Sequence, residues 1–355
     1  MTRRANLLIA LLFVSAAWPA SLTQIQLFRA GQGGYYSYRI PALIATPKGT
    51  LLAFCEGRKN SGNDAGDIDV LLRRSFDRGR TWSPVEKIAD RGADTIGNPT
   101  AVVERKAGII FLLLTSNPGT ATERQITDGA PGAVRTVWIT RSTDDGTSWS
   151  PLVDITAQVK RPDWTWYATG PGNGIQLRSG RLVIPCDHNG HSHVIYSDDR
   201  GETWKIGGSA EDKTNESAVV ELNDGSLLLN MRSYHGKHRR AIQRSRDGGL
   251  TWSALEFDDA LIEPVCEASL ISIGHGRLLF ANPAATTRSH LTVRLSNDDG
   301  ATWKASRLLD EGPSAYSSLT KLPDRTIGLL YERGDVSPYE RITFARFDLY
   351  ALLAK

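Results

Sequence analysis

The chain has 355 residues, 40% hydrophobic and 23% charged, with a formal net charge of +3. This is the composition of an ordinary soluble globular protein. Arg3 and Arg4 carry two of the net charges, which excludes a nucleic-acid binder built on a basic stripe, and there is no acidic tail.

The N-terminus reads Met1-Thr2-Arg3-Arg4 and then runs apolar from Leu7 to Ala17. A charged start before a short apolar stretch is the pattern of an export signal. Cleavage is expected after Ala17 or Ala20, leaving residues 21–355 as one domain, secreted or periplasmic. The stretch falls short of the ~20 apolar residues that span a bilayer, and no later segment is long enough, so no membrane span is expected. No Cys follows it, which argues against a lipid anchor.

Tyr38-Arg39-Ile40-Pro41-Ala42-Leu43 comes next, then the first of several apolar runs that follow a Gly turn, Gly49-Thr50-Leu51-Leu52-Ala53-Phe54. Later copies are Gly180 to Ile184, Gly225 to Leu229, Gly276 to Phe280 and Arg325 to Tyr331. Short strands between regularly spaced turns predict an all-β chain. Between them stand five octapeptides of the form Ser-x-Asp-x-Gly-x-Thr/Ser-Trp, starting at Ser75, Ser142, Ser197, Ser245 and Ser296. Their spacing is close to the ~40–50-residue period of propeller blades. Asp and Ser hydrogen-bond the turn's own backbone, Gly supplies a positive φ, and Trp plugs the gap between sheets. Without the spaced ligands and closing Glu of a calcium loop, these boxes are scaffold. Five boxes and a last half-blade, Ile342 to Leu349, predict a six-bladed β-propeller whose last strands pair with the first.

The Gly- and Thr-rich stretch from Ser116 to Ala133 reads as a long loop over one face. Trp164, Trp166 and Tyr167 are readable as a pocket wall or as packing between blades, of which packing is preferred, and His188, His191 and His193 as a solvated loop without a fourth metal ligand. Cys55, Cys186 and Cys266 are an odd set, expected to be buried free thiols. Arg39, Arg232 and Arg288 fall at comparable places in three different blades. Three converging guanidiniums call for an anion such as a carboxylate, although each is equally readable as a structural arginine.

Tyr38-Arg39-Ile40-Pro41 ahead of five boxes resembles the exo-α-sialidase (neuraminidase) family of bacterial and animal type, over nearly the whole mature chain. The resemblance implies that Arg39, Arg232 and Arg288 grip the carboxylate of sialic acid. It implies a sugar contact for Arg58, the acid/base role for Asp64, the nucleophile for Tyr316 and its partner for Glu216. Glu332 matches the residue that orients the first arginine, Glu123 a sugar-contacting glutamate, and Asp187 is placed on the glycerol or acyl side.

A tyrosine nucleophile makes chemical sense, because an anionic carboxylate attacking the anomeric carbon would meet the substrate's own carboxylate. The implied function is retaining hydrolysis of terminal α-linked sialic acid from glycans, without metal or cofactor. Preference for the deaminated sugar, transfer to a sugar acceptor, or binding without catalysis are the alternatives. A polar acyl pocket would favour the deaminated sugar.

Overall fold

The computed structural model describes residues 22–349, so the expected export signal lies outside the described residues. The chain is all-β, with short helices at Glu123–Thr127 and Thr156–Val159. It is a β-propeller. Antiparallel runs of neighbouring strands recur along it, such as Thr214–Glu221, Leu227–Ser233, Arg239–Ser245 and Glu256–Ile262. The 17-residue strand Ala305–Lys321 joins two such runs, pairing first with Ser289–Ser296 and then with Thr326–Arg333. Thr23–Arg29 from the start of the described chain pairs with Arg341–Asp348 from its end.

Every residue of Leu51–Arg58 is buried, although successive side chains point to opposite faces. Both faces are covered because neighbouring runs stack on each other. Ala53 and Leu51 pack with Leu330 and Phe344, whereas Leu52 and Phe54 pack with Ile110 and Leu112. A strand covered on both sides reads as a continuous apolar run rather than an alternating one.

The boxes clamp these stacked runs. Ser75 Oγ accepts from Gly79 N at 2.7 Å and donates to Asp77, which accepts from Arg80 N, Thr81 N and Thr81 Oγ1. Trp82 then meets Phe344 edge-on at 5.0 Å, as Trp149 meets Phe54 and Trp204 meets Phe111. Gly79 has φ +85°, and a Cβ there would lie 2.3 Å from Phe344, so glycine is required twice over. The preceding residue, Arg78, also has positive φ, which makes the turn of the primed hairpin type.

The strands that lead into the cavity share an irregularity. Pairing slips between Arg39 and Ala42, Gly97 and Thr100, Thr214 and Ser217, and Ser314 and Ser317. Such bulges turn side chains out of the alternating pattern. Asn98, Glu216 and Tyr316 stand within them, and Arg39 borders one. Ile40 carries the strain, with φ +59° on a β-branched residue.

Candidate active site

Arg39, Arg58, Asp64, Glu123, Asp187, Glu216, Arg232, Arg288 and Tyr316 all line one cavity of about 340 Å³. Glu332 lies just behind the cavity wall, with no exposed side-chain surface. Its Oε1 accepts from Arg39 Nε at 2.7 Å and Ile40 N at 2.8 Å, and its Oε2 accepts from Tyr316 N at 3.2 Å. One carboxylate therefore fixes both an arginine and the Tyr316 backbone. Burial opposes the Arg39 charge, but Glu332 outweighs it and holds the guanidinium protonated.

Tyr316 Oη lies 2.6 and 2.8 Å from the two Glu216 oxygens, and Arg232 Nη1 donates to it at 3.0 Å. The same Arg232 nitrogen donates to Glu216 Oε2 at 2.6 Å. Burial and the Glu216 charge push the phenol pKa well above its ordinary value, against the pull of Arg232 and Arg39. The phenol is thus neutral at rest, with an acceptor in place for its proton and cations in place for the resulting phenolate. The Arg39 and Arg288 guanidiniums lie 5.2 and 5.5 Å from the Tyr316 ring centre. Among the described residues Arg288 has no carboxylate partner; its Nη1 donates to Tyr339 Oη at 2.6 Å. The Tyr339 ring also lies under Arg39 at 4.1 Å.

On another side, Arg58 spans Glu56, Gly62 O and Asp64. Its Nη2 is 2.8 Å from Glu56 Oε2 and 2.7 Å from Asp64 Oδ1. The Asp64 side chain remains 70% exposed at the mouth. The surrounding cavity walls thin its water and raise its pKa, but Arg58 and Arg39 outweigh that and lower it.

Arg135 closes a further wall. Its guanidinium is bound by Asn98, Thr115, Asn117 and the Tyr167 carbonyl, and lies 4.3 Å from the Trp166 ring centre. Beside it Trp166 Nε1 donates to Asp187 Oδ2 at 2.8 Å, while Asp187 Oδ1 is buried without a partner. Burial, with Glu216 nearby, pushes the Asp187 carboxyl up to about 8.

Two expectations are corrected here. Trp166 lines the cavity, whereas Trp164 and Tyr167 pack in the core. His188 and His193 are buried rather than solvated, since the hairpin of Leu182–His188 and His191–Ser197 folds them under Trp164, which stacks on His188 at 3.6 Å. Among the described residues no cluster of His, Cys, Asp or Glu could hold a metal. All three cysteines are free and buried. The long polar loop contains the one-turn helix Glu123–Thr127, started by the Thr122 and Gln125 capping box, which places Glu123 at the cavity. Tyr234, Tyr339, Arg135 and Glu56 join the site without a signal in the sequence, because each reads there as an ordinary loop or strand residue.

The BNR repeat-like domain model matches residues 49–331. An exo-alpha-sialidase of Aspergillus fumigatus is 32% identical over 90% of this chain and 86% of its own length. The chain belongs to the sialidase family. The sialidases of Bacteroides fragilis and Micromonospora viridifaciens are 36% and 37% identical, and the matches cover 85% and 90% of this chain. The chain spans only 61% and 52% of those bacterial relatives. The solved Hadza microbial sialidase Hz136 superposes with a TM-score of 0.84 and 37% identity, covering 91% of this chain and 68% of that one.

Proposed function

We propose that this protein is a retaining exo-α-sialidase acting through Tyr316. The observation that carries this is the Tyr316 hydroxyl between the Glu216 carboxylate and Arg232, inside an arginine-lined cavity. A sialic acid carboxylate held by Arg39, Arg232 and Arg288 sets its anomeric carbon over Tyr316. As the phenol attacks, its proton passes to Glu216, and the arginines stabilise the developing phenolate. Asp64 protonates the departing oxygen and then takes a proton from the water that releases the sugar.

Before substrate binds, Arg58 and Arg39 favour the ionised form of Asp64. A substrate carboxylate cancels the pull of Arg39 and displaces water, so binding raises the Asp64 pKa toward that of a working acid. The scaffold is read as a single domain of six blades, closed by the pairing of Thr23–Arg29 with Arg341–Asp348 and exported after removal of the N-terminal segment. Sialylated glycans are the substrates.

Preference for the deaminated sugar is the second reading. The part of the lining that no catalytic role uses, Asn98, Arg135, Trp166 and Asp187, is rich in polar groups. Such a wall suits a hydroxyl better than an acetamido methyl.

Fluorophore release from the methylumbelliferyl α-glycosides of N-acetylneuraminic acid and of its deaminated analogue tests both readings. Wild-type turnover that is lost in folded Tyr316→Phe is expected. The better of the two glycosides decides the sugar, and no turnover of either sinks the hydrolase.

A further inference from the structure

We propose that Tyr36 is the platform of an aglycone subsite, on which the neutral pyranose joined to the sialic acid stacks. This rests on the hydrolase reading above. An exo-hydrolase protonates the oxygen that links its sugar to the next one, so that next sugar must emerge beside the acid. The acid's loop follows Leu51–Arg58, and Tyr36 is built into its base. Tyr36 N lies 2.8 Å from Arg58 O and 3.2 Å from Lys59 O. The preceding turn is tied across to the Tyr339 loop by Ala30 N donating to Glu340 O at 2.9 Å. Tyr36 therefore stands on the rim between the two loops that flank the cavity mouth, on a backbone fixed from both sides.

The Tyr36 ring is 60% exposed, and its Cε1 lies 3.8 Å from where a Gly62 side chain would begin. Gly62 lines the cavity, its carbonyl accepts from Arg58 Nη1 at 2.7 Å, and Asp64 follows two residues on. The ring thus abuts the turn that carries the acid while leaving most of its surface to solvent. Val336, on the loop that bears Tyr339, is 91% exposed. A single exposed apolar side chain needs no explanation in itself. The position of Tyr36 beside the acid's turn, with its hydroxyl unengaged among the described residues, is what suits it to a ligand. A pyranose offers an apolar C–H face and a polar rim, which match an aromatic body with a polar tip.

The test compares kcat/KM for sialyl-lactose with kcat/KM for the methyl α-glycoside of the same sialic acid. The ratio between them is expected to fall about tenfold in Tyr36→Ala, and to stay near wild type in Tyr36→Phe, which keeps the ring. An unmoved ratio in Tyr36→Ala overturns the proposal. So does an equal loss on both substrates, which would make the ring a prop for the Asp64 turn. With both substrates built on the sugar that the fluorophore assay prefers, a wild-type protein inert on both would overturn the hydrolase reading itself, an outcome distinct from an active enzyme whose ratio does not change.

Discussion

The box aspartates and Asp187 in the cavity wall are the same chemical group under opposite conditions. Asp199 sits in an exposed turn, where Thr203 Oγ1, Thr203 N and Ser197 Oγ all donate to it, and its pKa falls to about 2. Asp187 is buried with one donor and an unpartnered oxygen, and its pKa rises to about 8. The number of donors and the access of water decide the difference. Asp199, saturated with local donors, holds its turn, whereas Asp187, left with spare capacity, faces the cavity, where a substrate can use it.

Substitutions in the cavity and in the boxes test that contrast. Glu216→Gln keeps the shape of the base but removes its charge, and kcat is expected to fall about 10³-fold. Melting temperature checks that the fold survives. A loss below tenfold would move the base role elsewhere. Asp64→Asn is expected to cost about 10²-fold on sialyl-lactose but only a few-fold on an aryl glycoside, whose leaving group needs little protonation. Because the Asp64 pKa is lowered in the empty cavity, kcat/KM should decline as pH rises on the acid side of neutrality. The decline in kcat should come at higher pH, once bound substrate has raised that pKa.

Asp247→Ala removes a box carboxylate that accepts from Leu250 N, Thr251 N and Thr251 Oγ1. It should lower unfolding stability by about 1–2 kcal/mol and leave kcat unchanged. Box carboxylates with depressed pKa stabilise the fold above their ordinary value of 3.8, and that contribution is lost as pH falls toward about 2. Asp187 has the opposite sign. Its raised pKa makes the fold pay increasingly as pH climbs from 3.8 toward about 8. Asp187→Asn should therefore gain thermal stability over wild type near pH 7 and show no gain below pH 4, read by melting temperature across pH.

The scaffold was legible because it repeats. The boxes carry their turn chemistry in contiguous residues, and the Leu51–Phe54 pattern recurs in later blades. Arg39, Arg232 and Arg288 were visible as positions, but their convergence depends on strands far apart in the chain. Tyr316 and Glu216, 100 residues apart, gained their meaning from the family motif alone. Arg135 and Tyr339 were missed, and Trp166 was assigned to packing, because Arg135 is held by partners on separate strands, the Trp166 ring lies over that arginine, and Tyr339 stands on a loop that returns to the mouth. None of these leaves a local pattern. The buried histidines were misread for a related reason: a polar hairpin looks solvated until a tryptophan from another segment covers it.

Tyr316 is expected to become covalently attached to the sugar during turnover. A 3-fluorosialosyl fluoride tests it directly, because its leaving group departs readily while the fluorine at C3 slows release of the glycosyl enzyme. Mass spectrometry of the quenched, digested protein should find the fluorosialyl group on the peptide containing Tyr316, at its phenol oxygen. An adduct on Glu216, or an unmodified protein that continues to turn the compound over, would contradict the account.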